Sequence, residues 1–424
     1  MEVIFIVLDI ILSGIKIIVL LGVLITIHEL GHFIVAKLSK VKVNQFAIGF
    51  GPIIFQKETK ETKYAIRLIP LGGFVSMEGE EGDSAETNSF AKAKMYKKIL
   101  IVAAGVIVNI VFAIIVYFIL SATSGVYISN EVGDLIDNYA AQKIGIQVND
   151  KLIEVNDKKI KNKRDLDKIA KDFTSNNLEI KIERNGEILK YDLKPTEQKS
   201  ISTGIYLGEK SKILVVEKNS TAEKAGILAN DEIIKVNNLD VNSDPYKALE
   251  LISSVTPEAE SLNLTIKRND EILNLDVKTN FVSSYYIGLI FKEAEDTLIN
   301  RMINGTMETE KFVGSSILNL KQLFTGQVSV NQMMGPIGIS EVVAKTDGVR
   351  EFFEMLALIS LSLGITNLLP IPALDGGKIV ILLIEIVRKK PMKKENEINI
   401  QLLGFSILIA LSLYVTFNDI VRIF

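Results

Sequence analysis

Between Ile15 and Ala36 the chain is almost entirely apolar, yet His28-Glu29-Leu30-Gly31-His32 lies inside that run. The stretch near 10–36 is long enough to cross a bilayer core of about 30 Å. Ionisable side chains placed there must be enclosed, because charge in hydrocarbon is costly and marks a functional site by default. The two histidines are the only ones in 424 residues. On a helix, at about 100° per residue, positions four apart lie roughly 40° from each other on one face. Two imidazole nitrogens so placed suit one Zn²⁺, and Glu29 beside them suits a general base facing the metal's open position. A lone histidine on an apolar face is usually a core residue, but this pair with Glu29 between is not lone.

Three further stretches, near 99–121, 354–387 and 400–419, are also long and apolar enough to span. Hydrophobic residues make up 48% of the chain and the net charge is -3, which fits a membrane protein with substantial soluble parts and gives no basic signal for nucleic acid. Glu2 and Asp9 precede the first basic residue, Lys16, so the N-terminus lacks the pattern of a signal peptide. The 37–98 connection is rich in Lys and Arg, including Lys37, Lys40, Lys42, Lys97 and Lys98. The short turn before the last span holds Arg388, Lys389, Lys390, Lys393 and Lys394. The positive-inside rule places both connections in the cytoplasm, and hence both termini and all of 122–353 outside it.

The 122–353 excursion contains a repeat. AAQKIGIQVNDKLIEVND at 140–157 matches TAEKAGILANDEIIKVNN at 221–238, and KIERNGEILKYDL at 181–193 matches TIKRNDEILNLDV at 265–277. Each copy reads as a short helix, a Gly-Ile-x-x-Asn-Asp turn, an alternating strand and a final hairpin turning at Asn185-Gly186 or Asn269-Asp270. Such α+β units of about 80 residues resemble PDZ domains, which take an extended peptide as an added strand. A pair that merely caps the membrane site and binds nothing is the plainer alternative.

No cysteine is present, so thiolate ligands are excluded. Both histidines are already used, and the third zinc ligand must therefore be a carboxylate. The third apolar stretch, LALISLSLGITNLLPIPALDGGKIVILLIEIV, is interrupted by Pro370, Pro372 and the Gly376-Gly377 pair. Irregular backbone at membrane depth is tolerated only where it lines an enclosed or wet cavity. Asp375 follows that break and is the favoured ligand. Glu385, ten residues on and nearer the basic turn, competes for the role but is read as snorkelling to the interface.

With these motifs in place, the chain closely resembles the site-2 protease family of intramembrane zinc metalloproteases, and within it the bacterial regulator of sigma-E protease branch with two PDZ domains. The family's N-x-x-P-x-P-x-L-D-G stands here as Asn367, Pro370, Pro372, Leu374, Asp375 and Gly376. Further blocks are Gly49-Phe50-Gly51-Pro52, Ile69-Pro70-Leu71-Gly72-Gly73-Phe74, Gly105 with Asn109, and Gly335-Pro336-Ile337-Gly338-Ile339. Val106 and Lys378 depart from the family pattern of proline and of His or Arg.

The resemblance implies a multi-pass α-helical membrane protein with four transmembrane helices and two inserted extracytoplasmic α+β PDZ-like domains. The expected parts are a first half of the membrane protease domain at 1–127, PDZ-like domains at 128–203 and 204–283, a connector at 284–353, and a second half at 354–424. It implies zinc held by His28, His32 and Asp375 with Glu29 catalytic, Asn367 positioning the substrate carbonyl, and Gly72, Gly73 and Phe74 in a membrane-reentrant hairpin against an unwound substrate. Implied partners are the lipid bilayer, single-span substrates such as anti-sigma factors or remnant signal peptides, and an upstream site-1 type protease. The implied location is the bacterial cytoplasmic (inner) membrane. On this view the PDZ pair screens out substrates with bulky outer domains. The acidic run Glu78–Asp83 is read as a solvated loop. A non-catalytic scaffold would have no need of Glu29, and a metal transporter would need several polar positions along a path, whereas these spans offer one cluster.

Overall fold

Helix α1 (Glu2–Leu38) is apolar nearly all round, with Ile11, Ile15, Val19 and Ile34 exposed, as suits a helix whose outer faces meet lipid. It ends where Lys40 turns to φ 61° and Val41 N–H reaches back to Ala36 O. Strands β1 (Val43–Glu58) and β2 (Lys63–Met77) follow, pairing Ala47 with Phe74 and Ile48 with Gly73. Gly49 and Gly51, both at positive φ, bend β1 between its two halves. Helix α2 (Met95–Ser124) then crosses α1 so closely that a Cβ on Gly31 would stand 2.6 Å from Ala104 O. The structure is a computed structural model and describes residues 2–80, 84–257, 259–269, 271–325, 335–344, 346 and 348–423. Residues 81–83, the end of the acidic run, and Asp270 of the second hairpin turn lie outside them.

Residues Tyr127–Glu295 form one compact unit, and the chain on either side forms the other. Within 127–295 a first module begins with β3 (Ile128–Leu135), α3 (Ala140–Lys143), β4 (Lys151–Val155), β5 (Lys158–Lys159), α4 (Lys163–Ala170), β6 (Leu178–Arg184) and β7 (Glu187–Leu193). Asn185 and Gly186 turn β6 into β7 with φ 52° and 84°, the conformation that Asn-Gly favours. After β8 (Thr196–Ile201), a second module runs through β9 (Ile205–Leu207), β10 (Ile213–Val216), α5 (Thr221–Lys224), β11 (Glu232–Val236), β12 (Leu239–Asp240), α6 (Pro245–Ser253), β13 (Ser261–Arg268) and β14 (Glu271–Lys278). The chain then returns to the first module. β15 (Phe281–Tyr286) pairs with β8, and β16 (Leu289–Glu293) pairs with β3, completing a sheet in the order β16-β3-β4-β6-β7.

The second module is thus nested within the first, which differs from consecutive domains bounded at 203 and 283. Ile287, Leu289 and Phe291, expected in the connector, pack in the first module's core with Val132, Leu152 and Ile180. The second has its own core around Ile233, Leu262 and Leu264. Equivalent ion pairs lock the two turns of the repeat: Arg184 grips Asp150 and Gly145 O, and Arg268 grips Asp231 and Gly226 O.

The remaining chain forms α7 (Leu298–Phe324), α8 (Pro336–Ala344), α9 (Val349–Asn367), α10 (Asp375–Arg388) and α11 (Lys394–Ile423). Charges from two other helices hold both ends of α8. Asp419 accepts from Gly338 N–H at 2.8 Å, and Lys16 donates to Thr346 O at 2.6 Å. Each charge opposes the partial charge of the helix end it meets, which explains a lysine inside the first apolar run. Among the described residues, three helices are long and apolar enough to cross a membrane: Ile11–Leu38, Met95–Ser124 and Lys394–Val421. The third expected stretch, 354–387, is instead divided between α9 and α10. Pro370 and Pro372 supply no N–H, and Ala373 takes φ 74°, so the helix cannot run through.

Candidate active site

His28 and His32 leave α1 on one face, as their spacing dictates, and Asp375 opens α10 directly after the break. Nε2 of His28 lies 3.2 Å from Asp375 Oδ2 and 3.2 Å from Nε2 of His32, and the latter lies 3.6 Å from the same oxygen. Side-chain exposures of 12, 13 and 17% leave the three nearly enclosed. Asp375 Oδ2 is buried and accepts no hydrogen bond. A divalent cation resolves that crowding of lone pairs. Tetrahedral zinc with bonds of about 2.0–2.1 Å would hold its ligand atoms about 3.3 Å apart, and the three separations bracket that value. The donor set of two nitrogens and one oxygen fits zinc.

The rival carboxylate, Glu385, is engaged elsewhere: it accepts from Met392 N–H at 2.6 Å across the turn between α10 and α11. One other acidic group of suitable spacing occurs among the described residues, Glu154, Asp157 and Glu179, but Lys181 is ion-paired with all three. A lysine ammonium thus already sits among these carboxylates, where a metal ion would have to stand.

Packing from α2 shapes the site. Nδ1 of His32 lies 2.8 Å from Ile101 O, a bond that puts the ring proton on Nδ1 and frees Nε2 to face Asp375. Nδ1 of His28 faces the amide of Asn109 at 3.2 Å. Gly105, between these two, leaves room for both rings, since a Cβ there would stand 2.7 Å from His28 Cε1 and strike His32 Nε2. In the sequence, Gly105 and Asn109 are marked only by their spacing of four on one helix face. Val106 is buried at 1% exposure, and its carbonyl lies where Gly364 of α9 comes close.

Glu29 points to the strand that carries Gly72, Gly73 and Phe74. A Cβ on Gly73 would come 3.5 Å from Glu29 Cγ, so the Glu29 side chain lies against that strand. Gly72 has φ 133° and no space for a side chain against the Phe50 ring, while Arg67 stands over the Phe74 ring at 5.5 Å. Lys378, three residues after Asp375, makes a 3.0 Å ion pair with Glu80 just beyond this strand. Nothing in the sequence linked those two. Asn367 is half-buried as the last residue of α9, on the far side of the break from Asp375.

The profile of Peptidase family M50 matches residues 16–411. Among curated proteins, the Regulator of sigma E protease of Haemophilus influenzae is 27% identical over 439 residues, covering 96% of this chain and 98% of its own. The Zinc metalloprotease RasP of Geobacillus kaustophilus is 29% identical over 436 residues, covering 97% of this chain and 98% of its own.

Proposed function

The chain belongs to peptidase family M50, the site-2 protease family of membrane zinc metalloproteases, and we propose that it cuts single-span membrane proteins inside the bilayer. The observation that carries this reading is the convergence of His28, His32 and Asp375 at the break between α9 and α10. Two of these residues sit in an apolar helix, so the bond to be cut must come to membrane depth. We read the spans as α1, α2, the interrupted pair α9–α10, and α11, with both termini outside the cytoplasm of a bacterial inner membrane.

In this reading His28 and His32 offer Nε2 and Asp375 offers Oδ2 to zinc. Bound there, zinc supplies Lewis acidity at the scissile carbonyl. Glu29 takes the proton from the attacking water and passes it to the leaving amine, its side chain lying against Gly73. Asn367 donates to the carbonyl oxygen as charge develops on it. A helical substrate hides its amides, so it must unwind before cleavage, and the strand of Gly72, Gly73 and Phe74 offers it a backbone to pair with. The two modules of 127–295 act as PDZ domains that hold back substrates with bulky outer domains, so that cleavage follows a first cut by a site-1 type protease. Anti-sigma factors and remnant signal peptides are the substrate class.

Glu29→Gln tests the reading, because it keeps size and removes the base. This variant should retain zinc and lose cleavage of a single-span reporter, whereas Asp375→Ala should lose the metal itself. Near-normal cleavage by Glu29→Gln, or full zinc occupancy in Asp375→Ala, would overturn the respective assignment.

A further inference from the structure

Three positions one helical turn apart on α2 face the histidine pair: Ile101, Gly105 and Asn109. The first gives its backbone carbonyl to Nδ1 of His32, and the second gives space. Asn109 is fully buried, and its amide nitrogen stands 3.2 Å from Nδ1 of His28, while the amide oxygen is buried with no partner. Ser360 Oγ on α9 donates to Asn109 O at 2.9 Å and fixes that turn of α2. A fully buried amide aimed at a ligand ring, with one end unsatisfied, calls for a physical reason.

A neutral imidazole carries one proton. When Nε2 of His28 gives its lone pair to a cation, that proton sits on Nδ1 and must be donated. The amide nitrogen opposite is also a donor, so the two would repel. Amide oxygen and nitrogen have nearly the same size, and a half-turn of the amide exchanges them without moving any other atom. Oδ1 then accepts from Nδ1. The amide hydrogens move to where the oxygen was, a smaller loss than the gain, because cation binding polarises the imidazole N–H and strengthens its hydrogen bond.

We propose that Asn109 is a positioning residue for the metal centre, holding His28 in the tautomer that ligates zinc by accepting from Nδ1 through its amide oxygen. One helix then supplies both outer acceptors, Ile101 O for His32 and Asn109 Oδ1 for His28. This rests on the zinc-holding reading of His28, His32 and Asp375.

With only two histidines in the chain, ring-¹⁵N labelling reports each ring separately. In the zinc-loaded full-length protein, His28 should show a protonated Nδ1 bonded to Asn109. Asn109→Leu should weaken zinc binding about 10–100-fold in competition with a chelator, with the His32 signals unmoved. Asn109→Asp, which can only accept, should restore both the Nδ1–H signal and the affinity to within about a few-fold of wild type. An unprotonated Nδ1 in zinc-loaded wild type would overturn the proposal without any variant. So would wild-type affinity in Asn109→Leu, or an Asn109→Asp as weak as Asn109→Leu. A wild-type protein that holds no zinc would instead sink the underlying reading.

Discussion

Gly105 and His28 stand in contact so close that no side chain larger than hydrogen fits between them: a Cβ on Gly105 would lie 2.7 Å from His28 Cε1. The two helices carrying them touch backbone to backbone at Gly31, so neither can retreat without separating. The candidate metal site is therefore shaped as much by the absence of atoms on α2 as by the histidines on α1.

Gly105→Ala should then displace one or both rings. Displacements of this order at a reacting centre cost about 100-fold in rate. We expect reporter cleavage to fall by that order and zinc content to fall with it. Zinc analysis beside an activity assay checks this, and full zinc with full activity would refute it.

Ala373 sits at φ 74°, two residues before Asp375, in a conformation that non-glycine residues adopt at a cost of about 1–2 kcal/mol. Ala373→Gly should therefore keep zinc and activity, with stability unchanged or raised by about 0.5 kcal/mol after the added freedom of the unfolded chain. Ala373→Val, β-branched at positive φ, should lower both zinc content and activity. Metal analysis and thermal unfolding of the two variants separate these outcomes.

Asp150 is 1% exposed, and Arg184 meets both its oxygens at 2.7 Å while Gln147 N–H adds a third bond at 2.8 Å. Burial pushes this carboxyl upward, but those hydrogen bonds prevail and hold it below its ordinary value. A carboxyl lowered on folding stabilises the fold above its unfolded value of about 3.9 and loses that contribution as pH falls through the folded one. The first module should accordingly loosen below about pH 4. Arg184→Leu, which strands a buried carboxylate, should cost about 3 kcal/mol at neutral pH. Hydrogen exchange at Leu152, Ile180 and Ile182 measures both effects. Unchanged protection in Arg184→Leu would show the pair to be dispensable.

Local features of this chain were legible from the sequence because their causes are local. The period of a helix places His28 and His32 on one face whatever surrounds them, Asn185-Gly186 turns a hairpin by its own backbone preference, and Pro370 with Pro372 breaks the third apolar run wherever it lies. The likeness of the two modules showed for the same reason, since each copy carries its own Asp, Gly and Arg. What required the tertiary structure was every relation between distant segments. Periodicity says nothing of which carboxylate faces the histidines, and only the fold brings Asp375 to them while Glu385 is taken up by Met392 N–H. Strand β16 pairs with β3 from beyond the second module, and no local pattern marks a partner that far along the chain. Gly105, Asn109 and the Glu80–Lys378 pair matter only through close approach between segments far apart in the chain. Close packing decides such contacts atom by atom, and it exists only once the chain has folded.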